Sequence, residues 1–356
     1  MNPKEARKKI DKRMLADGMS QIIDLEKSHG SWLVDGRDDR EYLDLFSMFA
    51  SLSVGYNHPY VVKNKERLMS SAMNKPTNSD VYSVEMAEFV STMGRVAQPE
   101  YLPYAFYIEG GGVAVENALK TAFDWKVRKN LEKNIKNKGS QIIHFKECFH
   151  GRTGYTLSLT DSPDPRKTLY FPKFDWPRID NPKIDFPLTG ESLASVKEKE
   201  KIAVQQVKSA LAANKDDIAA LIIEPIQGEG GDNHFREEFL TELKTLSLEE
   251  EFLLIYDEVQ TGVGITGNMW AHQAFSEKAR PDIISFGKKT QVSGIMVKSK
   301  YSDIFNQELK LNVTWNSDII DMYRCDLIIN FIEKNNLLKK INKFSPEITN
   351  FLNSFN

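Results

Sequence analysis

Cysteine and long apolar runs are scarce in this sequence of 356 residues. Its two cysteines, Cys148 and Cys325, cannot build the disulfide framework that holds a small secreted domain together. The longest apolar runs, such as residues 219–223, are far too short to span a bilayer. No apolar stretch follows the charged N-terminus, and the early acids Glu5 and Asp11 are atypical of a transit peptide. We therefore expect a cytoplasmic protein that does not enter a membrane.

An excess of one charge is also missing, since 47 basic and 50 acidic residues give a net charge of −3. No basic field therefore indicates nucleic acid as a partner. The dinucleotide pattern GxGxxG occurs once, at residues 262–267, but it does not stand between a predicted strand and a predicted helix, so it does not indicate a dehydrogenase. The six histidines do not fall at metal-ligand spacing, so we expect no metal site. The composition, 41% hydrophobic and 27% charged, is typical of a soluble globular protein with a large core.

Short apolar runs alternate with stretches of helical spacing along the chain. We predict strands at residues 104–108, 141–145, 218–224, 252–257 and 282–286. We predict helices at residues 113–129, 202–213, 235–247 and 319–333. Strands without polar alternation are typically covered on both faces, and their alternation with helices favours an α/β fold with a mainly parallel sheet.

One segment interrupts this alternation. Residues 162–188 contain six prolines and several aromatic residues. We predict an ordered excursion rather than a flexible linker, with a particular set of aromatic side chains buried. The set is Phe171, Phe174, Trp176 and Phe186.

Ligands of parallel α/β sheets bind beyond the carboxyl ends of the strands, and three features of the sequence lie there. Glycines 110–112 stand between a strand and a helix, where backbone N–H groups can bind a phosphate. Asp257 ends a buried strand, where it could cap a helix, form a salt bridge or pair with a cationic ring nitrogen. Lys288 and Lys289 follow the next strand, and either could be a Schiff-base nucleophile. Together the three features indicate pyridoxal phosphate, with Phe149 able to stack on its ring.

Several motifs then appear in the order found in class III aminotransferases. They are EGGGVAVENALK, FHGRTGYTLSLT, EPIQGEGG, DEVQTGVGITG and FGKKTQ. Over about residues 14–333 the sequence resembles that family. The segments NKPTNSDVYS, FPKFDWPRID and LNVTW resemble the members that act on the ε-amino group of lysine. The resemblance implies the fold of type I pyridoxal-phosphate-dependent transferases (aspartate-aminotransferase-like), with a mainly parallel sheet in the large domain.

The resemblance also implies a role for particular residues. Lys289 would carry the cofactor aldehyde and move a proton between substrate and cofactor; we prefer it to Lys288 for its spacing to Gly294. Asp257 would pair with the ring nitrogen of the cofactor, and Gln260 with its ring oxygen.

Further cofactor contacts follow from the same resemblance. Gly111 and Gly112 would give N–H groups to the phosphate, and Thr314 of a partner subunit would reach the same phosphate. The resemblance thus implies a homodimer with a shared site. Phe149 and Val259 would cover the two faces of the ring.

For the substrates, the resemblance implies that Arg152 binds the α-carboxylate of L-lysine. Glu229 would mask a second arginine while lysine is bound and release it for 2-oxoglutarate. The implied products are glutamate and 2-aminoadipate 6-semialdehyde, which cyclises to piperideine-6-carboxylate. Two alternatives remain: an ω-aminotransferase acting on 4-aminobutyrate or ornithine, and a catalytically impaired remnant.

The sequence departs from the family near its C-terminus. Family members carry a further C-terminal portion that bears the second arginine, whereas no arginine follows Arg324 here. Asn316 and Ser317 stand where a Gly-Gly pair is expected. We expect an incomplete small domain. Its N-terminal segment would be residues 1–60, the cofactor-binding large domain 61–314, and the start of a truncated C-terminal part 315–356.

Overall fold

The computed structural model describes residues 1–355. Its strands are β1 (Trp32–Asp35), β2 (Arg40–Leu43), β3 (Tyr104–Ile108), β4 (Gln141–Phe145), β5 (Arg178–Ile179), β6 (Ile218–Ile223), β7 (Ile226–Gln227), β8 (Asn233–His234), β9 (Leu253–Asp257), β10 (Ile283–Phe286) and β11 (Ser293–Val297). Its α-helices are α1 (Pro3–Asp11), α2 (Ser47–Ala50), α3 (Pro59–Val62), α4 (Lys65–Met73), α5 (Val84–Thr92), α6 (Gly111–Glu132), α7 (Thr156–Leu159), α8 (Gly190–Ala213), α9 (Glu237–Glu249), α10 (Ile319–Lys334) and α11 (Leu337–Asn353).

A seven-stranded sheet forms the centre, in the order β3-β11-β10-β9-β6-β4-β5. The pairs from β5 through β4, β6 and β9 to β10 are parallel, whereas β11 runs antiparallel to both β10 and β3. The predicted α/β fold with a mainly parallel sheet is confirmed. The sequence analysis missed β11, because a serine and a glycine interrupt its short apolar run.

Both faces of this sheet are buried. All residues of β6 and β9 are buried, and side chains of β9 alternate between two hydrophobic clusters. Leu254 and Tyr256 join the cluster that contains α9 and α10, whereas Leu253 and Ile255 join the one that contains α6. Each fully buried leucine or isoleucine contributes about 1.5–3 kcal/mol, so these strands hold the sheet rigid.

Helix α6 is longer than predicted and begins at Gly111, directly after β3. The buried residues Ala114, Ala118 and Ala122 recur four positions apart and form the face that packs on the sheet. Their small side chains let the helix lie close to the strands. This packing fixes the first turn of α6 at the carboxyl edge of the sheet.

The excursion of residues 162–188 is ordered, but the prediction for its aromatic residues was wrong in three cases. Phe171, Phe174 and Phe186 are 55%, 51% and 67% exposed, and only Trp176 is buried. Phe174 stacks on Trp176 with ring centroids 4.9 Å apart, so it covers the tryptophan from outside. One aromatic layer is thus enough to anchor the segment.

The two ends of the chain lie outside the central sheet. Strands β1 and β2 form a separate antiparallel pair, and α10 packs against α5. No helix within residues 1–355 is both long and apolar enough to cross a membrane. The domain limits at residues 60 and 314 stay a prediction.

Candidate active site

A pocket of about 650 Å³ opens at the carboxyl edge of the central sheet. Loops that follow β3, β4, β6, β9 and β10 all contribute to its wall. The lining residues are Gly111, Gly112, Phe149, His150, Gly151, Glu224, Glu229, Asp257, Val259, Gln260 and Lys288. Most of the residues proposed from the sequence therefore meet in one place.

The start of α6 forms one end of the pocket. Gly110 has a φ of 88°, which brings the chain out of β3 and into the helix. A Cβ atom on Gly111 would lie 3.0 Å from Cγ1 of Val259 and narrow the pocket. The backbone N–H groups of the first helical turn have no intrahelical partner, and the helix dipole adds positive potential. This end can bind a phosphate.

Asp257 also lines the pocket, and both oxygens of its carboxylate are held by neighbouring residues. Oδ2 lies 2.8 Å from Nδ1 of His150, while Oδ1 accepts hydrogen bonds from the Val259 N–H and the Ser285 hydroxyl at 3.1 and 3.0 Å. Asp257 and His150 are both buried. Burial disfavours a charged imidazole, but Cys148 and Asp257 outweigh it and raise the pKa of His150 well above its usual range.

His150 is the residue that the sequence analysis missed. Its Nε2 atom is buried and has no hydrogen-bond partner among residues 1–355. The only signal in the sequence is its position beside Phe149 in the FHGR segment.

Glu224 is a second buried acid of the pocket wall. Its two carboxyl oxygens accept hydrogen bonds from the backbone N–H groups of Phe149 and Gly228, at 2.8 and 3.3 Å. Burial, reinforced by the charge of Asp257, raises the pKa of Glu224 to about 7. The side chain thereby links the loop that carries Phe149 to the loop that carries Glu229.

The two candidate lysines point in different directions. Lys288 lines the pocket, and its Nζ atom donates a hydrogen bond to the side-chain oxygen of Gln260. Lys289 is absent from the pocket wall; its Nζ atom lies 2.6 Å from the backbone oxygen of Gln260 and is buried. Of the two lysines, Lys288 therefore lines the pocket and Lys289, which the sequence favoured, does not; which of them carries the cofactor stays a prediction.

The backbone of Lys288 is strained. Its φ is 53°, in the left-handed region that residues with a side chain rarely adopt. Such conformations cost about 1–3 kcal/mol and cluster at functional sites. The Lys288 side chain lines the pocket. Burial lowers the pKa of its amine, against the opposing charges of Asp257, Glu224 and Glu229.

Arg152 and Thr314 lie outside the pocket wall. Arg152 follows the lining residue Gly151, is exposed, and makes no ion pair with any residue of the described chain. Thr314 is exposed on the segment before α10 and is not among the residues that line the pocket.

Glu229 has a cationic partner, although not an arginine. Its Oε1 atom forms an ion pair with Lys167 and accepts a hydrogen bond of 2.7 Å from the Ser162 hydroxyl. The ammonium of Lys167 also lies 5.7 Å from the centre of the Phe149 ring. A lysine from the excursion thus stands at the pocket mouth.

Comparison with known proteins is consistent with this pocket. Residues 14–356 match the family model described as aminotransferase class III. The chain is a class III aminotransferase. Enzymes of this family use pyridoxal phosphate as their cofactor.

The sequence of this aminotransferase is similar to those of several other aminotransferases. The L-lysine-epsilon aminotransferase of Mycobacterium tuberculosis is 45% identical over 346 residues, which cover 95% of this chain and 76% of that protein. The enzyme of the same name from Amycolatopsis lactamdurans is 43% identical over 95% of this chain and 76% of its own. A 4-aminobutyrate aminotransferase of Mycosarcoma maydis is 33% identical over 90% of this chain and 67% of its own.

The structure agrees with a solved one of the same family. The lysine aminotransferase of M. tuberculosis in the internal aldimine form superposes with a TM-score of 0.95 at 44% identity, covering 100% of this chain and 82% of that one. The pocket of the aminotransferase described here fits the cofactor of its family: N–H donors for a phosphate, a buried carboxylate for a pyridinium nitrogen and an amine for an aldehyde.

Proposed function

We propose that this aminotransferase transfers the ε-amino group of L-lysine to 2-oxoglutarate, giving 2-aminoadipate 6-semialdehyde and glutamate. One observation carries the proposal. A single pocket wall holds the first turn of α6, the Asp257 carboxylate and the Lys288 amine. The choice of lysine as the substrate is supported by the 43–45% identity to L-lysine-epsilon aminotransferases.

The residues around Asp257 would set the electronic state of the cofactor. Bound pyridoxal phosphate supplies an electron-accepting ring that stabilises the carbanion left when the substrate loses a proton. Asp257 would keep the ring nitrogen protonated, because its carboxylate is buried and ionic pairing is strong there. His150 would hold that carboxylate in place. Gln260 would face the ring oxygen, with Phe149 and Val259 on the two ring faces.

Lys288, rather than Lys289, would carry the cofactor and move the proton. Lys288 lines the same pocket as Asp257 and Glu224, whereas Lys289 is not among the lining residues. A general acid or base must reach the atom that it serves, so position decides between the two residues.

Two cations would recognise the carboxylates of the substrates. Arg152 is exposed beside the pocket, and its guanidinium can bind the α-carboxylate of lysine with two parallel hydrogen bonds. Binding there would direct the distal amine of lysine, not the α-amine, toward the cofactor. Lys167 is the second cation. Glu229, through its ion pair with Lys167, would modulate how this cation binds a carboxylate of 2-oxoglutarate.

We also propose a homodimer in which Thr314 of one subunit reaches the phosphate of the other. Thr314 is exposed, and the segment before it borders a groove of about 1460 Å³. That groove is lined on its other side by Asn78 and Tyr82, from another segment that resembles lysine-specific members. For the location of the protein we infer the cytoplasm, in keeping with two unpaired cysteines.

Borohydride trapping tests the central assignment. Reduction of the purified protein with bound pyridoxal phosphate, followed by peptide mapping, should find the cofactor on Lys288. Finding it on Lys289 would overturn the assignment. Lys278→Met, a change at an exposed lysine, is the matched control and should leave trapping unchanged.

Absorbance spectroscopy tests the substrate. Added L-lysine should convert the visible band of the cofactor to the amine form at lower concentration than 4-aminobutyrate or ornithine does. A preference for either of those amines would favour the alternative function. A band that no amine converts would leave only cofactor binding.

A further inference from the structure

Two consecutive lysines hold the two carbonyl groups of one glutamine. The ammonium of Lys288 donates to the side-chain oxygen of Gln260, and that of Lys289 donates to its backbone oxygen at 2.6 Å. Gln260 follows β9 and the lysines follow β10, so the contacts join the ends of neighbouring strands. The fold therefore couples the position of Lys288 to the position of Lys289.

Lys289 is held from several sides. Its side chain is only 5% exposed, and its backbone oxygen accepts a hydrogen bond of 2.7 Å from Ser53 Oγ. The turn that contains it is a single 3₁₀ turn, Lys288–Thr290, which has no side-chain cap at its start. Such a short turn has few bonds of its own, so the Lys289–Gln260 contact is a main constraint on it.

We propose that Lys289 is a positioning residue: its ammonium fastens the turn to Gln260, and its charge favours the neutral, reactive amine of Lys288. The inference rests on the proposed function, since it needs Lys288 as the cofactor lysine. Lys289 touches neither cofactor nor substrate and acts through its neighbour.

The charges around the pair support this role. Lys288 faces the acids Asp257, Glu224 and Glu229, each of which favours its charged form. Lys289 faces Glu258 and Lys288; burial and then the charge of Lys288 lower its pKa to about 8. Both ammonium groups contact oxygens of the same residue, Gln260, so they lie near each other, and the charge of Lys289 opposes the charging of Lys288. The acids thus favour the charged form of the Lys288 amine, and Lys289 favours its neutral form.

Three variants of the full-length holoenzyme test the proposal: Lys289→Met, Lys289→Gln and Lys289→Arg. The first two remove the charge, and the third keeps a charged donor. The readouts are the pH midpoint of the visible cofactor band and the dissociation constant of pyridoxal phosphate. In Lys289→Met and Lys289→Gln the midpoint should rise by about one pH unit. This corresponds to a tenfold gain in the proton affinity of the Lys288 nitrogen that is joined to the cofactor. Lys289→Arg should stay close to the unmodified protein, as should Lys278→Met.

A merely structural role would lower thermal stability and leave the midpoint where it is, which would overturn the proposal. Lys289→Gln serves if Lys289→Met does not fold. The dissociation constant should rise about fivefold to tenfold in both neutral variants, because Gln260 loses a hydrogen bond from a charged donor. Failure of the proposed function looks different, because borohydride would then trap the cofactor on Lys289. An unmoved midpoint with the cofactor on Lys288 contradicts only the role of Lys289.

Discussion

The Nδ1 atom of His150 lies 2.8 Å from Oδ2 of Asp257, and both side chains are buried at the floor of the pocket. The histidine comes from the loop after β4 and the aspartate from the end of β9, 107 positions apart in sequence. The remaining oxygen of Asp257 is held by Val259 and Ser285, so the carboxylate has one fixed orientation.

His150→Asn should therefore reduce turnover without abolishing cofactor binding. A buried charged hydrogen bond contributes about 1.5–3 kcal/mol, which corresponds to a decrease in kcat of about tenfold to a hundredfold. Steady-state kinetics with lysine measures the change. His29→Asn, at an exposed histidine, is the control. An unchanged kcat in the His150 variant would show that Asp257 needs no support from the imidazole.

Gly111→Ala should weaken the binding of pyridoxal phosphate about tenfold, because the added Cβ would lie 3.0 Å from Cγ1 of Val259. Gly190→Ala is a matched control: it too begins an α-helix, but nothing lies within 4 Å of its added Cβ. Fluorescence titration of the cofactor-free protein gives both affinities. Equal affinities in the two variants would mean that the start of α6 does not bind the phosphate.

Glu224 should make stability depend on pH between about 4.5 and 7. Its pKa rises from 4.5 to about 7 on folding, so the native state holds the proton more tightly than the unfolded chain does. The stabilisation is complete below pH 4.5 and is lost as pH rises through 7, by about 3 kcal/mol in total.

The free energy of unfolding, measured by urea titration at pH 5 and pH 8, checks this dependence. Glu224→Gln stays neutral at both pH values. Its free energy of unfolding should therefore change less between pH 5 and pH 8 than that of the unmodified protein, by about the amount given above. Glu249→Gln, at an exposed glutamate, should behave as the unmodified protein does. The same pH dependence in all three proteins would contradict the prediction.

Lys167→Met should raise the KM for 2-oxoglutarate about twofold to fivefold more than the KM for lysine. Without Lys167, the carboxylate of Glu229 stands unpaired at the pocket mouth and repels an acceptor with two negative charges. The effect is modest because both partners are 29% exposed, and such pairs contribute at most about 1 kcal/mol. Lys173→Met, an exposed lysine of the same excursion, is the control. If the ratio of the two KM values stays constant, Lys167 does not contribute to binding of the acceptor.

Five of the seven strands of the sheet were predictable because they are short, mainly apolar runs, each followed by glycine or a charged residue. Residues at the strand ends, such as Asp257 and Gly111, were placed correctly in the pocket for the same reason. The sequence offers two adjacent lysines, and only the tertiary structure shows that Lys288 lines the pocket whereas Lys289 does not.

Other features that the sequence did not show also depend on tertiary structure. His150 gains its role only from Asp257, which is distant in sequence. Lys167 meets Glu229 because the excursion folds back over the pocket, and Phe174 stays half exposed because Trp176 already fills the space beneath it. Composition and periodicity carry no information on such contacts.

The left-handed backbone at Lys288 has a consequence for evolution. Glycine would adopt this conformation without strain, so Lys288→Gly would relieve the backbone and remove the amine in one step. If Lys288 carries the cofactor as proposed, stability and catalysis favour different residues at position 288. The residue at this position would then indicate whether a relative of this chain still catalyses its reaction.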